Sequence, residues 1–130
     1  MKQRGFTVIE LITTVALLLV VGIVFVVQKN NVETSVRDDK RKVAINSMYY
    51  TLEKVYYPAH KSYPKALTPT VLPSVDPALF NDPRGTTLGK GGSDYRYEPT
   101  GCTATGCTAY SLRANLESEG DFVKQSADRN

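Results

Sequence analysis

The stretch MKQRGFTVIELITTVALLLVVGIVFVV, residues 1–27, decides the fold of this chain. From Phe6 to Val27 it contains one charged residue, Glu10. These 22 residues would form a helix about 33 Å long at 1.5 Å per residue, which is enough to cross a bilayer. The composition therefore predicts a membrane-spanning helix close to the N-terminus.

Two ordinary interpretations leave part of this segment unexplained. A secretory signal peptide predicts a shorter apolar core followed by small residues at a cleavage site, and Val24–Lys29 offers no such site. A plain single-span anchor fits the length but gives no reason for Glu10. An ionised carboxylate in the centre of a bilayer costs about 2.5–3.5 kcal/mol on insertion-derived scales, so such a residue usually has a partner. Glu10 is therefore the first candidate functional residue.

A short basic leader that ends in Gly5 and continues as Phe6-Thr7-Val8-Ile9-Glu10-Leu11 resembles the class III signal of type IV pilins and pseudopilins. The resemblance implies that a membrane prepilin peptidase cuts between Gly5 and Phe6 and methylates the new amine of Phe6. It also implies that Glu10 offers its carboxylate to the Phe6 amine of a neighbouring subunit. Opposite charges buried in an apolar bundle attract each other strongly and each alone is penalised, so this pair would set the axial register of a fibre.

The helix is expected to continue beyond the membrane segment. No proline or glycine lies between Gly22 and Pro58, and apolar residues recur at helical spacing over 28–57. The pattern predicts one helix over about 6–57, roughly 78 Å long, whose second half is amphipathic and packs on a sheet. Pro58 is expected to end it. The apolar stripe of the second half comprises Val32, Val36, Ile45, Met48, Tyr49, Leu52, Val55 and Tyr56.

A charged run within this second half, Arg37-Asp38-Asp39-Lys40-Arg41-Lys42, admits two interpretations. One is a contact to nucleic acid, which the two acids weaken because they reduce the field that phosphates require. The other, which we favour, is a solvated face that pairs with neighbouring subunits. The net charge of +3 adds little to the first, because without Lys2 and Arg4 the 16 basic residues become 14 against 13 acidic ones.

The count of basic residues at the two ends of the membrane segment conflicts with the expected orientation. The leader contributes Lys2, Arg4 and the free amine, whereas the C-terminal flank carries more cations than this. The positive-inside rule alone would then place the C-terminal part in the cytoplasm. The leader motif and the cysteine pair both favour the opposite orientation, with the C-terminal part outside. The cations of that flank are Lys29, Arg37, Lys40, Arg41 and Lys42.

The rest of the chain predicts a loop followed by a small sheet. Recurrent prolines over 58–93 exclude a regular helix and most central strands. Alternation of apolar and polar residues over 94–98 and 109–117 predicts an antiparallel hairpin, and 121–125 reads as a third strand. The fold class is therefore α+β, a pilin-like fold with the long helix packed on about three antiparallel strands. The expected segments are a leader (1–5), a transmembrane half-helix (6–27), an amphipathic half-helix (28–57), a Pro/Gly-rich connecting loop (58–93), a sheet (94–125) and a polar tail (126–130).

Cys102 and Cys107 are the two cysteines of the chain, and no histidine lies near them. A metal site needs more ligands than this pair offers. A local disulfide that closes the hairpin tip is the better interpretation, and it implies an oxidising compartment outside the cytoplasm. A folded part of about 100 residues buries a modest core and gains from such a cross-link.

Neither catalysis nor a bound cofactor is expected. His60 is the one histidine, so no Ser-His-Asp or HExxH arrangement can be built, and no catalytic or cofactor-binding residue is assigned. Asn81–Gly85 reads as a turn and loosely resembles the Asp-Pro-x-Gly turn of type II secretion pseudopilins, which often hold calcium in this region. Calcium stays open here, although the available oxygen ligands are dispersed along the chain. These ligands are Asp76, Asn81, Asp82 and Asp94.

The resemblance implies a structural subunit, a prepilin that polymerises into a type IV pilus filament serving adhesion, twitching motility or surface interaction. Its partners would be the prepilin peptidase, the pilus assembly platform, minor pilins and further copies of itself in a helical filament. It would lie in the cytoplasmic membrane as a single-pass precursor before it joins the extracellular pilus.

Two alternatives stay open. One is a pseudopilin of a type II secretion or DNA-uptake (competence) system. The other is a minor tip subunit that binds DNA or a host ligand through an exposed basic or aromatic patch. The residues available for such a patch are Lys61, Lys65, Arg84, Lys90, Tyr95 and Arg96.

Overall fold

A computed structural model gives the architecture of the chain and describes residues 5–128. The chain forms two compact units, one that reaches to Thr34 and one that begins at Ser35. Most of the expected leader and the last two residues of the expected tail lie outside the described residues.

One long helical run dominates the chain. Helix α1 spans Val8–Thr51 and passes through a π-helical turn, Leu52–Tyr56, into the short helix α2, Tyr57–His60. The expected long helix is therefore confirmed, but it begins two residues later and ends three residues later than the predicted 6–57. The expectation that Pro58 ends the helix is wrong.

The position of Pro58 explains why the helix continues past it. Pro58 lies in the first turn of α2, directly after the π-helical turn, and a local π-helical turn is one way in which a continuous helix accommodates the amide that proline lacks. The helix ends instead at Lys61, whose backbone is left-handed with φ of 56°. The Lys61 N–H donates to the Tyr57 carbonyl at 2.7 Å, which closes the last turn.

The unit that reaches to Thr34 exposes its apolar side chains. All residues from Gly5 to Glu33 are exposed, and the exposed fraction of the large apolar side chains runs from 81% at Phe6 to 50% at Val15. The helix is long and apolar enough at this end to span a membrane. Exposed apolar surface of this extent is typical of segments that contact lipid or other chains.

The second unit carries the sheet. Strands β1 (Tyr95–Thr100), β2 (Ala109–Ala114) and β3 (Phe122–Gln125) pair in the order β1-β2-β3, and both pairs are antiparallel. The register places Tyr97 opposite Leu112 and Leu112 opposite Lys124. The α+β fold class, the hairpin and the third strand are thus as predicted.

The core of this unit lies between one face of α1, the sheet and the connecting segment. Three residues that were expected on the packing face, Val32, Val36 and Val55, are 60%, 47% and 49% exposed, so that assignment is wrong. Val36 precedes Ile45 by nine residues and therefore lies about 180° around the helix from it. The buried apolar residues are Ala44, Ile45, Met48, Leu52, Tyr63, Leu67, Leu72, Val75, Phe80, Leu88, Tyr95, Cys107, Tyr110, Leu112 and Ala114.

Candidate functional site

The Gly5–Phe6 peptide bond lies ahead of the helix, which begins at Val8. Both residues are exposed. A Cβ atom added at Gly5 would meet nothing within 4 Å, so packing within the described part of the chain does not require glycine at this position. Exposed, non-helical peptide bonds are the sites at which proteases act. The bond is therefore accessible, and any requirement for Gly5 would come from another molecule.

Glu10 caps the helix of its own chain. Its Oε2 accepts hydrogen bonds from the Thr7 backbone N–H at 3.3 Å and from Thr7 Oγ1 at 3.4 Å. In return, Thr7 Oγ1 accepts from the Glu10 backbone N–H at 3.3 Å. This reciprocal arrangement is a capping box, whose Thr-x-x-Glu signature is visible at residues 7–10 but was not used in the sequence interpretation. Glu10 therefore has a local role in addition to any role between subunits.

A second group of charged residues is buried in the globular unit. Arg41 is fully buried, and its Nη1 donates to Asp38 Oδ1 at 2.7 Å. Its Nη2 donates to Asp94 Oδ2 at 2.7 Å and to Glu117 Oε1 at 2.8 Å. We refer to Asp38, Arg41, Asp94 and Glu117 as the charged cluster. The interpretation of 37–42 as a solvated face is therefore wrong for Asp38 and Arg41.

Helical geometry explains this correction. Asp38 precedes Ile45 by seven residues, or about two turns, so both lie on the same face of α1. Asp38, Arg41, Ile45, Met48 and Leu52 follow one another at alternating intervals of three and four. The stripe that packs on the sheet thus runs into the charged run, and this spacing was the sequence signal that could have revealed the cluster.

The connection between β2 and β3 completes the charged cluster. The Asp38 carboxylate accepts from the backbone N–H groups of Glu117 and Ser118 at 2.9 and 2.8 Å, and from Ser118 Oγ at 2.6 Å. Arg37 donates to both carboxylate oxygens of Glu117 at 2.9 and 2.6 Å, and Lys42 pairs with Glu119. These contacts fix residues 117–119 to the first turns of α1 in this unit.

The hydrogen bonds of the cluster shift its pKa values. Burial alone would raise the pKa of Asp38, but hydrogen bonds from Ser118, from the Glu117 and Ser118 backbone and from Arg41 hold that pKa well below its usual range. Hydrogen bonds from Arg37 and Arg41 lower the pKa of Glu117 to about 2. The carboxylates of Asp38 and Glu117 are therefore ionised at neutral pH.

These shifts predict an acid-sensitive contribution to stability. A carboxyl group whose pKa is lower in the folded than in the unfolded state stabilises the fold above its unfolded pKa. The contribution of Glu117 should then be complete above its ordinary pKa of 4.5 and be lost as the pH falls towards about 2. Thermal unfolding of Glu117→Gln and of the unaltered chain, followed from neutral pH into this range, checks this. The melting temperature of Glu117→Gln should fall less steeply with decreasing pH than that of the unaltered chain. Equal pH dependence of the two melting temperatures would contradict the stabilising role assigned to ionised Glu117.

A buried carboxylate links the C-terminal part of the helical run to the sheet. Glu53, in the π-helical turn, accepts hydrogen bonds from the Tyr63 hydroxyl at 2.9 Å and from the Tyr110 hydroxyl at 3.0 Å. Burial, together with the neighbouring Glu53 charge, raises the pKa of Tyr110 well above its usual value. The sequence interpretation missed this group, which has a structural role because its members are buried.

The Cys102–Cys107 disulfide is present, as the sequence predicted. It closes the turn between β1 and β2, and the buried Cys107 exchanges two backbone hydrogen bonds with Tyr63, at 2.8 and 2.9 Å. The cross-linked turn is thereby attached to the chain that follows the helix. This placement gives the disulfide a structural role.

Replacing both cysteines by serine should lower the free energy of unfolding by about 2 kcal/mol, because the loop-entropy model assigns that contribution to a short closed loop. Urea unfolding of the full chain in detergent micelles, with and without a reductant, measures the loss. The reductant should destabilise the unaltered chain by the same amount and leave the serine variant unchanged. Equal stability of the two proteins under oxidising conditions would contradict the prediction.

The candidate basic patch is not assembled as one surface. Tyr95 is 2% exposed and belongs to the core, so its assignment to the patch is wrong. Arg84 lies within 3.8 Å of Asp94 and 3.7 Å of Glu117, beside the charged cluster. Lys90 and Arg96 border one recess, whereas Lys61 borders a different one beside the disulfide.

The oxygen ligands considered for calcium have other partners. The Asp82 carboxylate accepts from the backbone N–H groups of Arg84, Thr86 and Asp94 at 2.8–2.9 Å. Asp76 accepts from the Ala78 N–H, and Asn81 accepts from the Thr87 hydroxyl. Within residues 5–128, no group of three or more His, Cys, Asp or Glu side chains is placed to hold a metal ion. The geometry offers no argument for calcium.

Comparisons with known proteins leave the function to be argued from these sites. No protein-family model, no curated protein and no solved structure matches this chain.

Proposed function

We propose that this chain is a prepilin, a structural subunit that is cleaved after Gly5 and polymerises into a type IV pilus filament. The observation that carries the proposal is the arrangement of the N-terminal unit. An exposed Gly–Phe bond is followed by a helix whose residues up to Val27 expose apolar side chains on all sides and include one carboxylate, Glu10. A bilayer would cover the apolar surface before assembly, and neighbouring helices would cover it in a filament.

The globular unit supports the proposal because its core is formed without the N-terminal apolar residues. The apolar core begins at Ala44 and extends through the connecting segment to the sheet. The fold of this unit therefore does not depend on burying the apolar residues that precede Val27. Those residues stay available for lipid in the precursor and for other helices in the polymer.

The cations on the C-terminal flank of the membrane segment bear on orientation. Arg37 and Arg41 pair with Glu117, Lys42 pairs with Glu119, and Lys29 lies 3.8 Å from Glu33. Four of the five cations on the C-terminal flank are thus matched by carboxylates in the folded chain. The positive-inside rule counts Lys and Arg rather than net charge, so these pairs do not answer it, and the disulfide is what favours the opposite orientation. We place this part outside the cytoplasmic membrane, where the disulfide also forms.

Analysis of sheared surface fibres tests the proposal. Fibres from cells that express this chain should contain it as their most abundant protein, beginning at an N-methylated Phe6, as measured by mass spectrometry of the N-terminal peptide. Gly5→Val should retain the full precursor in the membrane and abolish the fibres. A mature chain that is abundant in membranes but scarce in the fibres would reject the role of main subunit and favour a pseudopilin or a minor subunit.

A further inference from the structure

The two turns of α1 that enter the globular unit are attached to it by polar contacts. The buried residues of α1 are Asp38 and Arg41, followed from Ala44 onward by the core residues. Val36 and Val43, on either side of this pair, are 47% and 58% exposed. Apolar packing therefore begins only after the charged cluster, and residues 35–43 contribute no buried apolar side chain.

On the other side of these contacts lies an exposed connection. Residues 117–121, which we call the strap, lie between β2 and β3, are exposed and belong to neither strand. The described contacts of the strap with α1 are the ion pairs and hydrogen bonds that Glu117, Ser118 and Glu119 make with Arg37, Asp38, Arg41 and Lys42. The strap has the sequence Glu-Ser-Glu-Gly-Asp and therefore carries no apolar side chain of its own.

From this arrangement we infer that the strap opens and closes over α1 while the core of the unit stays folded. Opening removes the three hydrogen bonds that Asp38 accepts from the strap, but Arg41 keeps Asp38 and Asp94, at 2.7 Å each, after Glu117 has left. The buried guanidinium of Arg41 therefore keeps carboxylate partners. The loss of a buried partner is costly mainly when it leaves the other charge unpaired. Water then solvates Glu117, Glu119 and Lys42, and this solvation largely offsets the lost pairs.

The consequence concerns the surface that a subunit presents. An open strap frees Lys42 on the helix and Glu117 and Glu119 on the strap, so that each can pair with a charged side chain of another copy. In a filament, which is the proposed function, the same residues would then form contacts either within one subunit or between neighbours. The strap itself is a property of the single chain and does not depend on that function.

Amide hydrogen exchange on the full chain in detergent micelles tests the strap. The amides of Glu117 and Ser118 donate to Asp38 and so report closure directly. We expect both to be protected, yet to exchange about 100-fold faster than the amides of the central strand β2, with little dependence on denaturant, because they open locally. Exchange at the β2 rate, with the same denaturant dependence, would place the strap in the cooperative core and overturn the inference. Absence of protection would overturn it as well.

A pair of serine variants sharpens the test. Ser118→Ala removes a hydroxyl that donates to Asp38, whereas Ser126→Ala removes a hydroxyl that accepts from the Tyr110 N–H outside the strap. Ser118→Ala should speed exchange at residues 117 and 118 by about tenfold and leave β2 unchanged. Ser126→Ala should not change exchange at residues 117 and 118. If Ser118→Ala accelerated amide exchange equally in the strap and in β2, the strap would not open independently of the core. Failure of this test leaves the fibre analysis unaffected, so the two proposals are judged separately.

Discussion

Replacing Glu10 by valine is expected to leave cleavage after Gly5 intact and to lower the yield of filaments by about 100-fold. Removing one partner of a buried ion pair costs about 3–5 kcal/mol, because the other charge stays behind unpaired. If Glu10 receives the Phe6 amine of a neighbouring subunit, the variant leaves that amine without a partner in the apolar core of the filament. Immunoblots of membranes and of sheared fibres measure processing and assembly separately.

The capping box calls for a control that separates its local role from assembly. Glu10→Gln keeps a side-chain oxygen that Thr7 can use, so the helix start should be preserved while the charge is lost. Both variants should therefore assemble poorly. Glu33→Gln changes another exposed carboxylate of the same helix and should assemble normally. Normal filaments from Glu10→Gln would show that Glu10 serves helix capping rather than pairing between subunits.

Much of the fold could be predicted from the sequence because its signals are local and periodic. The uninterrupted apolar run after Gly5 and the alternation around Tyr97 and Leu112 specify a helix and paired strands. The end of the helix was less predictable. Proline is disfavoured inside a helix, and nothing in the local sequence reveals the π-helical turn that places Pro58 in a first turn.

The polar interior could not be predicted from local pattern. Arg41 is separated from Asp94 by 53 residues and from Glu117 by 76, so its partners follow only from the tertiary fold. A charged side chain is ordinarily exposed, and the run around Arg41 was interpreted on that basis. The buried role of Glu53 was not predicted either, because its partners Tyr63 and Tyr110 lie on the connecting segment and on β2.

The candidate assembly residues were also predictable from the sequence only in part. The sequence singled out Gly5, Phe6 and Glu10 because a carboxylate in an apolar run is unusual and because the leader resembles a known signal. The structure adds that the Gly5–Phe6 bond is exposed ahead of the helix and that Glu10 is engaged with Thr7. A contact between subunits involves residues of two chains, so neither the sequence nor the structure of a single chain contains the whole contact.

Replacing Arg41 by methionine is expected to lower the free energy of unfolding by about 3–5 kcal/mol at neutral pH, a large fraction of the stability of a small domain. Methionine fills much of the buried volume but leaves the carboxylates of Asp38, Asp94 and Glu117 close together without their shared cation. Denaturant unfolding of the full chain in detergent micelles, followed by near-ultraviolet circular dichroism of the tyrosines, measures the loss.

Two comparisons separate the loss of charge balance at Arg41 from a simple packing defect. Lys40→Met changes the exposed neighbouring residue and should alter stability by less than about 0.5 kcal/mol. Adding Asp94→Asn to Arg41→Met should recover part of the loss, because one fewer uncompensated charge then stays buried. The deficit of Arg41→Met should also shrink as the pH falls and the carboxylates become protonated. A deficit that persists unchanged in the double variant and at low pH would assign the role of Arg41 to packing alone.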